Sequence, residues 1–404
     1  MILRVKACNF DARKKNGVGV STVGHLLAWV LLLGDDAVMK PIDVALIGYG
    51  NAARIFHAPL ISGVPGLRLD CICSSKPQAV LADWPQVRVV STPQAVFADP
   101  SIELVVIATG NESHHPLARE ALLAEKHVVV DKPCTVTLAQ TQELLQIAKE
   151  AGKTMTVFQN RRWDADFLAL QQVLDSGVLG RIVSFESHFD RYRPVVPDRW
   201  REQNLPGSGL WFDLGAHLVD QCLQLFGVPD DIQVDLACQR DGAQVNDYFH
   251  AQLRYAKQDS TRHTGLRVLL HASALVPAVG PRFVVHGTLG SFVKYGLDVQ
   301  EDALKAGGRP HWGDTSAWGH DPLVGSVTTH TDRGLVVTPA PDRAGNYLAY
   351  YAQLCEHLQG RAPAPSVTPE QVEMAMRLLA QGEHSASLGQ FVSVGAPVGV
   401  GGWL

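Results

Sequence analysis

Nothing in these 404 residues forms a cysteine framework. The seven cysteines have an odd total and no regular spacing, so they supply neither a set of disulfides nor a Cys-x-x-Cys metal pair. Cys71 and Cys73 share one face of an expected strand and read as small buried hydrophobes, which implies a reducing compartment, the cytoplasm. A basic block is also missing: the formal net charge of -5 is spread along the chain, which argues against a nucleic-acid surface. There is no internal repeat, and no apolar run comfortably spans a bilayer. Small-molecule chemistry fits what remains.

With 46% hydrophobic and 19% charged residues the chain can bury large cores, and its length suggests two domains. Residues 1–38 do not match the rest. Arg4, Lys6, Arg13, Lys14 and Lys15 precede an apolar stretch from Gly24 to Gly34, as in a signal peptide, but Asp35-Asp36 follows and no clear cleavage site is visible. This segment is read as a disordered or spurious extension, with Met39 as the start. Residues 39–160 are then expected to form the first domain and 161–404 the second.

The first domain alternates strands with helices, which predicts a doubly wound parallel sheet. Residues 41–47 form a strand, and Gly48-Tyr49-Gly50-Asn51-Ala52-Ala53 turns it into a helix. This is a G-x-G-x-x-A dinucleotide fingerprint, with glycines for the tight turn and for close approach to a pyrophosphate, and a helix N-terminus facing the phosphates. A second strand, 67–74, ends in Ser74-Ser75-Lys76 rather than in an acid. Asp70 lies inside the strand. Two hydroxyls and a cation suit a 2′-phosphate, so NADP is favoured over NAD. A strand at 102–109 ends in Thr109-Gly110-Asn111-Glu112-Ser113-His114 and leads to a helix from Pro116. The run Val128-Val129-Val130 then reads as a buried strand delivering Asp131, Lys132 and Pro133 at its carboxyl end, where open α/β sheets bind ligands. After a helix at 138–151 and a strand at 154–159, Asn160-Arg161-Arg162-Trp163 marks the junction. Arg162 and Trp163 are counted with the cofactor residues, the alternative being a basic surface turn with a packed tryptophan.

From Gly180 the pattern changes to longer alternating strands at 181–191, 232–238, 247–255, 266–275 and 281–295, as in a mostly antiparallel sheet of an α+β domain. A helix at 211–226 interrupts them. Phe212, Ala216, Val219, Leu223 and Phe226 make its apolar stripe, and Asp213, His217, Asp220 and Gln224 its polar one, which can also be a solvated face. Gly215 inside it costs about 1 kcal/mol relative to alanine and hints at close approach. Asp213 and His217 are an i, i+4 pair, so the carboxylate can set the tautomer and pKa of the imidazole. Residues 296–345 read as long loops, and helices at 346–359 and 369–387 close the chain, the second with a Thr368/Gln371 capping box.

Together these residues resemble the Gfo/Idh/MocA oxidoreductases. Gly48-Tyr49-Gly50 looks like the family's cofactor turn, and Thr109-Gly110-Asn111 through His114 like its Thr-Pro-Asn-x-x-His segment, with Gly110 in place of proline. Asp131-Lys132-Pro133 is similar to its Glu-Lys-Pro, and Asp213-Leu214-Gly215-Ala216-His217 to its Asp-x-Gly-x-His box. The stretches at 160–164 and 282–288 resemble the branch containing NADP-dependent scyllo-inositol dehydrogenases. The resemblance implies hydride transfer between a secondary alcohol of a polyol, inositol or sugar and a nicotinamide. His217 would be the general base, oriented by Asp213, with Lys132 holding the reacting oxygen and no metal required. His188, Asp190, Tyr192 and Tyr248 are candidate readers of substrate hydroxyls. Two other readings belong to the same resemblance: a non-catalytic dinucleotide-binding regulator and an NAD-dependent glycosidase. An exposed antiparallel sheet commonly pairs with another, so a homodimer or homotetramer is expected.

Overall fold

The computed structural model describes residues 40–255, 263–313 and 318–395. The extension expected at 1–38 lies outside the described residues. The first six strands are β1 (Ile42–Ile47), β2 (Leu67–Cys73), β3 (Arg88–Val90), β4 (Leu104–Ile107), β5 (His127–Val130) and β6 (Met155–Val157). They form one parallel sheet in the order β3-β2-β1-β4-β5-β6. All six residues of β1 and all four of β4 are buried, as the continuous apolar runs predict for strands covered on both faces. The strand order reverses between β1 and β4, the position where doubly wound folds open a ligand crevice.

The nine remaining strands are β7 (Ile182–His188), β8 (Asp231–Ala237), β9 (Tyr248–Arg254), β10 (Arg267–Ser273), β11 (Phe283–Gly287), β12 (Gly290–Lys294), β13 (Ser326–Thr331), β14 (Gly334–Pro339) and β15 (Val392–Ser393). They make a second sheet in the order β14-β13-β12-β11-β7-β10-β9-β8-β15. Every pairing in it is antiparallel except β7 with β10. Its inner face packs on the helix Ala216–Phe226, where Phe226 meets Phe185 with ring centroids 5.1 Å apart.

Three segments depart from the sequence reading. The helix expected from Pro116 begins at Asn111 and carries Pro116 inside it, where the proline forgoes one helical hydrogen bond. The strand expected at 281–295 is a hairpin, β11 and β12, turning through Thr288 and Leu289. A side chain at Gly287 would sit 2.1 Å from the Leu179 carbonyl oxygen, which keeps this edge of the hairpin to glycine. Residues 296–345, expected as loops, contain the short helix Gln300–Lys305 and the β13–β14 hairpin. The exposed β14 has no apolar alternation to signal a strand.

Although the sheets are two, residues from Pro41 onward pack as one compact unit. The C-terminal helix Leu348–Leu358 returns to the first sheet. There the Tyr351 hydroxyl lies 2.6 Å from His57 Nδ1, and Tyr350 packs edge-on against Phe158 at 5.0 Å. The helix Pro369–Leu388 opens with the expected capping box and stops at Gly389, which takes the left-handed φ of 65°.

Trp211 locks the second sheet's helices together. Its indole is fully buried and donates from Nε1 to the Leu379 carbonyl at 3.0 Å. A Cβ on Gly215 would lie 2.6 Å from this ring, and one on Gly382 would lie 2.4 Å from it on another side. The close approach that Gly215 signalled is therefore to Trp211. Gly382→Ala is expected to lower stability by about 1–3 kcal/mol through overpacking against a ring that cannot retreat. Chemical denaturation checks this, and an unchanged midpoint refutes it.

Candidate functional site

β1 ends at the turn that opens the crevice. Gly48 takes φ +94°, and a side chain there would meet the Ala108 carbonyl oxygen at 2.5 Å, so the turn closes against the end of β4 only with glycine. A side chain on Gly50 would meet nothing within 4 Å, which leaves the backbone open to an approaching ligand. Asn51 is exposed just beyond, where the helix begins. The Tyr49 hydroxyl turns aside to donate to Asp83 at 2.8 Å. This geometry fits a dinucleotide pyrophosphate, held by backbone N–H groups at a helix start.

At the end of β2, Ser74 Oγ accepts from the Lys76 backbone N–H at 3.0 Å, while Ser75 and Lys76 are exposed. Asp70 is taken up by Arg88 at 2.8 Å, which removes the one nearby acid from a ribose-binding role. Beyond β4, Thr109 Oγ1 accepts from the Ser113 hydroxyl at 2.7 Å. Gly110 holds φ -75°, a value that a proline would also impose, so its replacement of the family's proline leaves the backbone path intact. Asn111 donates to the Gly207 carbonyl at 2.7 Å. His114 Nδ1 lies 3.0 Å from the Pro133 carbonyl, and burial holds the pKa of this imidazole below its usual value. Asn111 and His114 thus brace the loops around the crevice.

β5 delivers Asp131 and Lys132 as expected. Asp131 is buried beside His57, with Nε2 3.9 Å from its carboxylate. Burial pushes its pKa up, but His57, Lys132 and His114 together hold it at about 2. The Lys132 ammonium donates at 2.7 Å to both the carboxylate and the backbone carbonyl of Asp213. Two of its three protons are placed, leaving one donor for a ligand.

Asp213 sits in a π-turn, Trp211–Gly215, that runs into the helix Ala216–Phe226. Asn246 Oδ1 starts the turn by accepting from the Trp211 N–H at 2.8 Å. A second π-turn, Ala53–His57, supplies Ile55 and Phe56 to the same cavity. Such one-residue insertions recur at functional sites because they re-aim side chains without breaking a helix. The expected pairing of Asp213 with His217 is not made by a hydrogen bond: the carboxylate faces Lys132 and lies 3.6 Å from Arg201 Nε. An i, i+4 pair meets across a regular α-turn, whereas here a π-turn carries Asp213 and Lys132 is the stronger partner for its carboxylate. Burial works to raise the Asp213 pKa, but Lys132, Arg201 and Arg191 hold it far below the carboxylate range. His217 is buried with Nδ1 unpartnered. Its pKa is well below the usual value, first through burial and then through the charges of Lys132 and Arg161, with Asp213 opposing. The imidazole is neutral.

These groups line one cavity of about 290 Å³. Asn51, Ala52, Asp131 and Lys132 come from the segments that follow β1 and β5 of the first sheet, and Asp213, Leu214 and His217 from the π-turn and helix packed on the second. A larger groove of about 740 Å³ lies by Lys153, Thr154 and His357, at the amino end of β6, and gathers no comparable set.

Four of the expected substrate readers are elsewhere. His188, Asp190, Tyr192 and Tyr248 do not line the cavity. His188, Asp190 and Tyr248 belong to the outer face of the second sheet, around His271, whose Nδ1 is 2.8 Å from Asp190. The ligand atoms of His188, Asp190 and His271 lie within 4.8 Å of one another. Tyr192 is exposed and bridges to Leu275. Their neighbours Arg191 and Arg193 line the cavity instead, joined by Arg199 and Arg201. Strand alternation made these arginines legible, because a one-residue offset reverses the face.

At the junction, Asn160 and Arg161 line the cavity, whereas Arg162 and Trp163 do not. Arg162 is buried and forms a fork on Asp220 at 2.6 and 2.8 Å, with its third nitrogen on Ser366 O and Gln371 Oε1 at 2.8 Å. It is a brace between the junction and two helices, with every nitrogen committed.

Residues 42–159 match the oxidoreductase family with an NAD-binding Rossmann fold, and residues 167–293 match the GFO/IDH/MocA C-terminal domain. The chain belongs to the Gfo/Idh/MocA oxidoreductase family. It is 51% identical to the uncharacterized oxidoreductase YdgJ of Escherichia coli over 85% of this chain and 96% of that protein. It is 36% identical to the NADP(+)-dependent scyllo-inositol 2-dehydrogenase IolW of Bacillus subtilis, over 87% of this chain and 95% of that one. A solved Yersinia pestis structure, 48% identical, matches with TM-score 0.83 over 90% of this family member and 100% of its own chain. No helix among the described residues is long and apolar enough to cross a membrane.

Removing one member of a buried ion pair strands the other. Arg162→Met is therefore expected to lower stability by about 3–5 kcal/mol. The folded fraction should bind dinucleotide with unchanged affinity in a fluorescence titration. A selective loss of cofactor affinity at full stability would return Arg162 to the cofactor site.

Proposed function

We propose that this family member catalyses reversible hydride transfer between a secondary alcohol of a polyol, inositol or sugar and NADP, with NAD the poorer cofactor. The observation that carries the reading is the convergence of Lys132 and His217, from different sheets, on the cavity that also contains Asn51 and Ala52 beyond the glycine turn. The name of IolW supports both the polyol class and the phosphorylated cofactor.

The bound nicotinamide supplies the hydride acceptor at C4. The chain supplies the rest. Backbone N–H groups at Gly50 to Ala52 hold the pyrophosphate, and Ser74, Ser75 and Lys76 receive the 2′-phosphate. Lys132 gives its remaining N–H to the reacting oxygen and stabilises the negative charge that develops there. Asp213 fixes the Lys132 ammonium in that position. His217, which lines the cavity with its pKa held low, accepts the hydroxyl proton. Ile55, Phe56, Phe158 and Leu214 supply apolar wall that limits water around the reacting carbon.

Two outcomes are expected. Ser75→Asp should repel the 2′-phosphate and shift the ratio of kcat/KM values at least tenfold toward NAD, about 1.4 kcal/mol. A parent enzyme that already prefers NAD would overturn the assignment at the β2 end. His217→Asn should retain cofactor affinity while slowing turnover by about 10²–10⁴. Lys132→Met should also slow it, with the double variant little worse than the poorer single one because both serve one proton-transfer step. Turnover within a few fold of the parent in both single variants would sink the mechanism.

A further inference from the structure

The cavity wall carries more positive charge than hydride transfer from a neutral alcohol uses. Much of it is answered by local acids. Arg161 lies 2.6 Å from Glu301 and 3.3 Å from Asp164, Lys305 lies 2.7 Å from Glu301, and Arg199 lies 2.7 Å from Glu202. Arg191 and Arg193 differ. Neither guanidinium has a hydrogen bond or ion pair among the described residues, yet both line the cavity.

Their backbone is firmly placed. The Arg191 N–H donates to Ser273 O at 3.0 Å, Val276 donates to Arg191 O at 3.0 Å, and Arg193 donates to Ala274 O at 2.7 Å. The Tyr192–Leu275 bridge between them keeps the segment extended, so alternation turns both arginines to one side. The Arg191 guanidinium lies over the buried Phe189 ring, 4.6 Å from its centroid, which fixes its direction without neutralising it. Burial, with Arg193 and Arg161 nearby, brings the Arg191 pKa down to about 10. A half-buried cation among other cations is an unfavourable arrangement that an incoming anion relieves.

We propose that the alcohol substrate carries an anionic group, a carboxylate or a phosphate, which Arg191 and Arg193 grip while Lys132 and His217 hold the reacting hydroxyl. This rests on the hydride-transfer reading and narrows it from polyols and sugars in general to their acidic forms, such as uronates, aldonates or polyol phosphates. The rival anion is the cofactor's own pyrophosphate, because Asn51 and Ala52 open on the same cavity. That group already has backbone donors at the glycine turn, whereas Arg191 and Arg193 lie on the extended segment that follows β7 of the other sheet. The placement also couples recognition to chemistry. Burial first, and then the nearby cations, hold the His217 pKa low, and an anion among those cations offsets part of their repulsion, making the imidazole a better proton acceptor.

The test compares matched pairs that differ by one anionic group, glucose with glucuronate, galactose with galacturonate, and myo-inositol with its monophosphates. Turnover is followed with NADP and NAD, and binding to the cofactor-saturated protein by calorimetry. A charged member should bind and turn over at least tenfold better than its neutral partner. Arg191→Gln should remove most of that advantage while the affinity for NADP alone stays within twofold. Arg193→Gln repeats the measurement at an exposed position if the first variant does not fold. Neutral members that bind as well as the charged ones overturn the proposal, whether or not they react. A matching loss of NADP affinity in Arg191→Gln also overturns it and assigns the arginines to the pyrophosphate. Tighter binding of the charged members without turnover upholds the anion site and defeats the hydride-transfer reading instead.

Discussion

The Lys132 ammonium has to be satisfied where β5 ends, inside a wall that is mostly apolar or already positive. Only 12% of its side chain is exposed, so water cannot do this alone. Asp213 does it, with its carboxylate and its main-chain carbonyl both at 2.7 Å. That requirement fixes the start of the helix Ala216–Phe226 against the carboxyl edge of the first sheet. The rest of the cavity is arranged around the contact. Asn246 anchors the turn carrying Asp213, Gly207 is gripped by Asn111, and His217 follows one turn later. Asp213 is committed to the lysine, and burial together with the charges of Lys132 and Arg161 keeps the pKa of the neighbouring imidazole low.

Around this contact the protein distinguishes charges that brace from charges left open. Arg162 and Asp220 form a closed pair under 3 Å, and Arg240 is similarly held between Asp247 and Glu202 at 2.8 and 2.6 Å. Such pairs contribute little net stability but cost several kcal/mol if broken singly, so they fix the geometry of the loops they join. Among the described residues Arg191, Arg193 and the last N–H of Lys132 have no such closure, and all three open on the cavity, beside closed cations such as Arg161 and Arg199.

Much of this architecture can be read from residue order. Val128-Val129-Val130 and the apolar β1 announce strands covered on both faces, and the spacing around Gly48 announces the turn that joins β1 to its helix. The polar positions of the helix at 211–226 were legible as a stripe but not by destination, since Asp213 and His217 face the cavity while Asp220 meets Arg162. The π-turn at Asp213 left no mark because hydrophobic periodicity reports the average twist of a helix, not one inserted residue. β14 was missed because nearly all of its side chains face solvent. Arg191 and Arg193 alternate with Asp190 and Tyr192 along one extended segment, so residue types alone do not tell which side meets the cavity.

The ring contact between the C-terminal helix and the first sheet bears on how the chain reaches its native state during synthesis. The His57–Tyr351 hydrogen bond joins positions 294 residues apart, and Phe158 is covered by Tyr350 and Tyr351. At about 5–20 residues per second of translation, His57 waits roughly 15–60 s for its partner to be made. Until then the parallel sheet has its strands but lacks the aromatic cover over one end. An N-terminal fragment ending near residue 160 would keep that surface exposed indefinitely. The six-stranded sheet thus behaves as an unfinished body that waits for cover encoded some two hundred residues after its last strand.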